Sequence, residues 1–193
     1  ELAILRGAQV ANMSFGGGFS QAEADAITAA SNAGMILVAS AGNSSGGSVG
    51  YPAALPEVIA VSASTINNGL ASFSSVGSQV ELIAPGANIY TTYKDGTYVH
   101  INGTSFSSPQ VAGVAALVLA SGVNPADVRA RLTSTAEDLG LSATQQGSGL
   151  VDAENAVLGT TAGNDLPGGG GPTPTPTPSP DPTPTPVPGD GIV

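Results

Sequence analysis

The segment Asn102-Gly-Thr-Ser-Phe-Ser-Ser-Pro-Gln-Val-Ala-Gly113 sets a hydroxyl nucleophile, Ser105, at the start of a long apolar helical pattern, directly after a glycine turn. Amides in the first turn of a helix have no partner inside it, and the aligned peptide dipoles favour negative charge there. An alkoxide or oxyanion forming at Ser105 is therefore stabilised where it forms. Pro109 is expected in the first turn, where no helical hydrogen bond is lost. Taken alone, Gly-Thr-Ser before a helix is also what a simple Ser/Thr cap looks like. Ala41-Gly42-Asn43 offers a side-chain amide in a turn, and by itself reads as an ordinary loop. The one histidine, His100, precedes Ser105 in a strand-like stretch and fits a half-exposed strand residue better than a general base. There is no cysteine, so thiolate catalysis, thiolate metal sites and disulfides are excluded.

The charge balance removes further classes. Fourteen acidic residues face only Arg6, Lys94, Arg129 and Arg131, a net charge of -10 in 193 residues. A surface so poor in cations cannot neutralise a run of phosphates, which argues against nucleic acid and anionic membranes as partners. No apolar stretch reaches the ~18 residues needed to span a bilayer. The longest, Val111–Ala120, contains Gly113 and reads as a buried helix. Few charges with many Ser, Thr, Asn and Gly suit an exported enzyme.

The elements that must hold these residues alternate along the chain. Gln9–Phe15 reads as a strand closed by Gly16-Gly-Gly18, and Ser20 caps a helix through Ala33, with Glu23 at the capping-box spacing and Gly34 as its stop. Met35–Ala39 and Val58–Ala63 are continuous apolar runs, the mark of strands buried on both faces. Ile89–Tyr93 and Thr97–Ile101 flank Lys94-Asp-Gly96 as a hairpin. A helix over Ser105–Ala120 follows. Asn124-Pro125 opens another, and Asp152–Leu158 forms a last short one. The opening Glu-Leu-Ala-Ile-Leu-Arg, without an initiator Met, reads as the middle of a helix at a processed or artificial boundary. Strand and helix in this alternation give an α/β domain with a parallel sheet. It is expected over residues 1–159. Residues 160–193 form a Gly/Pro/Thr-rich linker, with proline at every second position from Pro172 to Pro188. Such a segment favours a disordered or polyproline II stalk of about 3.1 Å per residue, leading to an absent C-terminal domain.

Asn102–Gly113 closely resembles the nucleophile motif of the subtilisin-like serine proteases, the subtilases. The resemblance extends in order through Asn12-Met-Ser-Phe-Gly-Gly17, Val38-Ala-Ser-Ala-Gly-Asn43, Gly50-Tyr-Pro-Ala, Val58-Ile-Ala-Val, Ala71-Ser-Phe-Ser-Ser and Ala84-Pro-Gly-Ala. It implies the C-terminal half of a three-layer catalytic domain, a parallel sheet with helices on both faces and its N-terminal strands missing. It implies a serine endopeptidase working through an acyl-enzyme on Ser105, with the Asn43 amide and the Ser105 N–H holding the oxyanion. Ser14, Phe15 and Gly16 then present an edge to an extended peptide. Ser40, Ala41, Gly42, Gly50 and Thr104 complete the substrate-binding positions, with Ala41, Gly42 and Gly50 shaping the main specificity pocket. Ser44 stands where some relatives place a carboxylate, so bulky apolar or aromatic side chains are expected before the cleaved bond.

The departures matter equally. The family's Asp-x-Gly and His-Gly-Thr motifs are absent, so the triad Asp and His are expected before Glu1 and this piece alone is expected to be inactive. Gln110 replaces a histidine often found after the motif's proline. Thr65-Ile-Asn-Asn-Gly69 lacks the carboxylate of a weak cation site, so no cofactor is expected in this segment and calcium only in the full-length parent. The resemblance implies a secreted or cell-surface monomer acting on extended polypeptides. The alternatives are a catalytically inactive peptide-binding relative and a stalked surface protein.

Overall fold

The computed structural model describes residues 1–161; the Pro-rich segment from Pro172 to Pro188 and the residues after it lie outside them. The elements run α1 (Leu2–Leu5), β1 (Val10–Met13), α2 (Gln21–Asn32), β2 (Ile36–Ser40), β3 (Val58–Ser64) and β4 (Val80–Pro85). They continue through β5 (Ile89–Thr92), β6 (Tyr98–Ile101), α3 (Thr104–Ala120), α4 (Pro125–Ser134), α5 (Ala143–Gln146) and α6 (Ala153–Leu158). Strands β1 to β4 form one parallel sheet in the order β1-β2-β3-β4, and β5 pairs with β6 as an antiparallel hairpin.

Successive residues of a strand face opposite sides of its sheet, and here both sides are covered. Ile36, Val38, Ile59, Val61, Leu82 and Ala84 pack with Val111, Ala115 and Val118 of α3, Val128 and Leu132 of α4 and Ala156 of α6. Leu37, Ala39, Val58, Ala60 and Val80 pack on the other side with Ile27 and Ala30 of α2 and with Met13 and Met35. This is the three-layer α/β arrangement expected. It also explains why β2 and β3 read as unbroken apolar runs, since every residue of both strands is buried.

The expected N-cap side chains of α2 and α4 accept amides as read, and at α2 it is the Ser20 half of the capping box that is made. Ser20 Oγ accepts the Glu23 N–H at 3.5 Å at the start of α2, and Gly34 follows its end with φ +82. Asn124 Oδ1 accepts the Ala126 N–H at 3.1 Å, with Pro125 opening α4. Strand β4 is the element the sequence conceals. The β3–β4 register shifts at Ala60/Val61, so that Ala60 faces Val80 and Val61 faces Leu82. Glu81 is the extra residue, and a one-residue slip exchanges the faces. Val80 and Leu82 accordingly enter opposite cores. The Glu81 carboxylate is clamped by Arg129, whose Nε donates to it at 2.7 Å while Nη1 donates to Pro56 O at 2.9 Å. Hydrogen bonding to Glu81 raises the Arg129 pKa, against the opposing pull of burial.

Pro109 departs from expectation. Helix α3 begins at Thr104, so Pro109 falls in its second turn, inside the helix. The carbonyl of Ser105, which a residue-109 amide would otherwise engage, has to find another donor. The start of α3 is tied to the sheet instead. Gln110 Nε2 donates to Pro85 O at 2.7 Å, Ser107 Oγ donates to it at 3.3 Å, and Gly103 N–H donates to Gly86 O at 2.9 Å.

Gly86 is where this joint is tightest. A Cβ there would stand 2.6 Å from Ala63 Cβ and 2.9 Å from Gly103 O, and would press on Ser107 Oγ. These neighbours belong to β3 and to the entry of α3, which cannot shift cheaply. Gly86→Ala is expected to destabilise the fold by about 2–3 kcal/mol, measured as a lower urea midpoint in equilibrium unfolding. An unchanged midpoint would show that the joint has slack.

Candidate active site

Parallel α/β sheets gather ligands at the carboxyl ends of their strands. The loops leaving β1 and β2 lie there, and the N-terminus of α3 meets them. A cleft of about 400 Å³ results, lined by Ser14, Phe15, Gly16, Gly17, Ser40, Ala41, Gly42, Asn43, Ser44, Ser48, Gly50, Ser75, Thr104 and Ser105. None of these residues is ionisable. Two groups whose titration the fold shifts lie elsewhere: Arg129, and Asp138, which donors from Gln146 and Gly140 hold below the ordinary carboxylate value.

Asn43 is oriented by what its oxygen accepts. Oδ1 takes the Thr104 N–H at 3.0 Å and the Thr104 Oγ1–H at 3.0 Å, while Thr104 Oγ1 accepts the Gly42 N–H at 3.2 Å. Both lone pairs of the amide oxygen are engaged, so the NH2 end is left for the cleft. Nδ2 stands 3.7 Å from where a Cβ on Gly103 would be. Gly42 itself has φ +112, and a Cβ there would stand 2.9 Å from Ser75 Oγ. Ser75 brackets the Asn43 turn, its N–H donating to Gly42 O at 2.8 Å and its Oγ accepting the Ser44 N–H at 3.2 Å.

Ser105 is half-buried at the second position of α3, where its N–H has no helical partner. Its Oγ donates to Ser14 O at a long 3.4 Å, and its carbonyl accepts the Ser14 Oγ–H at 2.8 Å. A hydroxyl at a helix N-terminus, an amide NH2 and a neutral cleft face one another. This arrangement can hold a developing oxyanion.

A profile of the subtilase family matches residues 1–153. The chain belongs to the subtilase family. It is 47% identical to Subtilisin DY of Bacillus licheniformis over 164 residues, covering 81% of this chain and 60% of that protein. It is 48% identical over 126 residues to the Halolysin-like extracellular serine protease Nep of Natrialba magadii, covering 64% of this chain and 23% of that one. Among solved structures, a protease from Pseudoalteromonas arctica superposes with a TM-score of 0.72 at 34% identity, over 79% of this chain and 51% of that one. The subtilase chain thus spans three fifths or less of these relatives.

All ten site residues expected of a subtilase from the sequence line this one cleft: Ser105, Asn43, Ser14, Phe15, Gly16, Ser40, Ala41, Gly42, Gly50 and Thr104. Ser14–Gly16 lie past the end of β1 and enter no strand pairing among the described residues, while Gly17 forms a bridge with Tyr51. Thr104 touches the cleft mainly through Asn43. It is fully buried, and its donors are spent on Asn43. His100 stands on the outer face of the hairpin, its Nδ1 3.2 Å from Asn88 O and its ring 4.9 Å from that of Tyr90, and it does not line the cleft. Ser48 and Ser75 are cleft residues that sequence reasoning missed. The Ala71-Ser-Phe-Ser-Ser motif pointed to Ser75 without giving it a role. Among the described residues no group of three His, Cys, Asp or Glu side chains converges, so no metal is assigned to them.

Proposed function

We propose that this chain supplies the nucleophile and oxyanion site of a secreted serine endopeptidase, whose triad Asp and His come from residues outside it. The observation that carries the reading is the convergence of Ser105, at the N-terminus of α3, with the Asn43 amide in one cleft. Ser105 Oγ attacks the scissile carbonyl and gives its proton to the imidazole. The oxyanion takes hydrogen bonds from Asn43 Nδ2 and the Ser105 N–H. Collapse of the tetrahedral adduct breaks the C–N bond, the amine leaves with the imidazole's proton, and water then hydrolyses the ester on Ser105. Ser14–Gly16 offer main-chain groups to an extended substrate.

Specificity follows from neutrality. Ser40, Ala41, Gly42, Ser48 and Gly50 bring small, uncharged groups to the pocket. An unpaired ammonium or guanidinium there costs more than the ~1.4 kcal/mol that equals a tenfold rate difference. In the complete protein a fluorophosphonate should therefore modify the tryptic peptide that contains Ser105. A peptide library should show kcat/KM at least about tenfold higher after Phe, Tyr or Leu than after Lys or Arg. Labelling at another serine would overturn the assignment of the nucleophile, and cleavage mainly after Lys or Arg would overturn the pocket.

A further inference from the structure

We infer that Ser14 is a positioning residue for the nucleophile, acting through the main-chain carbonyl of Ser105 that Pro109 leaves without a helical partner. The catalytic side of this inference rests on the peptidase reading above.

In a regular helix the Ser105 carbonyl would accept from the N–H of residue 109. Proline has none, and Pro109 lies inside α3. A half-buried carbonyl left unpaired is costly. The donor that replaces the helix comes from the opposite wall of the cleft, where Ser14 Oγ donates to Ser105 O at 2.8 Å.

The proton count then fixes the rest of the relay. A hydroxyl has one proton and two lone pairs. With its proton on Ser105 O, Ser14 Oγ accepts from Asn12 Nδ2 at 3.0 Å and from the Ser108 hydroxyl at 3.1 Å. Ser108 is fully buried in α3. Ser14 is thus held from β1 and from α3 while it holds Ser105. The contact is also reciprocal, because Ser105 Oγ donates weakly to Ser14 O at 3.4 Å.

The consequence is geometric. The carbonyl and the Cβ–Oγ arm of Ser105 share one Cα, so pinning the carbonyl fixes the axis from which the nucleophile projects. The same hydroxyl joins the nucleophile to the wall that carries Ser14–Gly16. Substrate edge and attacking oxygen then keep their separation, a condition to which reaction rates are steeply sensitive. Pro109 makes the arrangement necessary by removing the donor that would otherwise hold Ser105 within its own helix.

The test is a double-mutant cycle in the complete protein: parent, Ser14→Ala, Pro109→Ala and both together. Pro109→Ala restores an N–H within reach of the Ser105 carbonyl. Ser14→Ala should lower kcat about five- to tenfold with KM within about twofold, the weight of one hydrogen bond felt at the reacting atom. In the Pro109→Ala background the same change should cost less than about threefold, and Ser14→Thr, which keeps the hydroxyl, should recover most of kcat. Urea unfolding of the same proteins should also be non-additive, which reads the hydrogen bond without reference to catalysis. Additive losses in both kcat and stability would overturn the inference, as would an unchanged kcat in Ser14→Ala. Non-additive stability in a protein without Ser105-dependent hydrolysis would instead overturn the peptidase reading, and the positioning role with it.

Discussion

Replacing Ser105 by alanine in the complete protein will lower kcat for peptide hydrolysis by more than ~10³-fold while leaving the unfolding transition nearly in place. That is a lower bound, since subtilisin stripped of its nucleophile loses about 2 × 10⁶ in kcat. The asymmetry between activity and stability comes from the structure. Ser105 Oγ makes only a 3.4 Å contact with Ser14 O, so its removal leaves no strong hydrogen bond broken. The Ser105 carbonyl, which accepts from Ser14 Oγ at 2.8 Å, belongs to the main chain and survives in alanine. KM should change little, because Ser14–Gly16 and the pocket are untouched. The measurement is kcat and KM on a chromogenic peptide, beside the urea midpoint. Retention of more than about a tenth of the parent's kcat would sink the role of Ser105 as nucleophile.

What the sequence disclosed depended on how local each signal was. Strands β2 and β3 were legible because burial on both faces writes itself as an apolar run. Caps were legible because a side chain and its amide lie within a few residues, as Asn124 and Ala126 do. Strand β4 was not, since Glu81 interrupts its apolar pattern and the bulge there reverses the alternation. Pro109 was misplaced because even a helix opening at Ser105 puts it past the first turn, and the hydroxyl that compensates for the lost bond is contributed 91 positions away. The cleft residues were found through motifs that stand in order along the chain. Which of them touch one another was hidden, as with Thr104 and Asn43, 61 positions apart. A motif records which side chains are present, whereas the network that aims them is written only in the folded sheet.

Asn43 offers the sharpest separation of chemistry from folding. Asn43→Ala in the complete protein should lower kcat by ~10²–10³-fold with KM nearly constant, the magnitude of the oxyanion asparagine in subtilisin itself, carried to the matching residue. Alanine, however, also removes the acceptor for the Thr104 N–H and Oγ1–H, both 3.0 Å from Asn43 Oδ1. Part of the loss could therefore reflect a relaxed start of α3. Asn43→Asp removes that ambiguity, because a carboxylate keeps the acceptor for Thr104 and replaces only the NH2. In place of two donors the cleft then receives a negative charge facing the oxyanion, which opposes the charge that must develop. Asn43→Asp should fold with the parent's urea midpoint and still fall at least as far in kcat as Asn43→Ala. An aspartate variant of near-parental turnover would mean that the oxyanion is held elsewhere and that Asn43 serves only to seat Thr104.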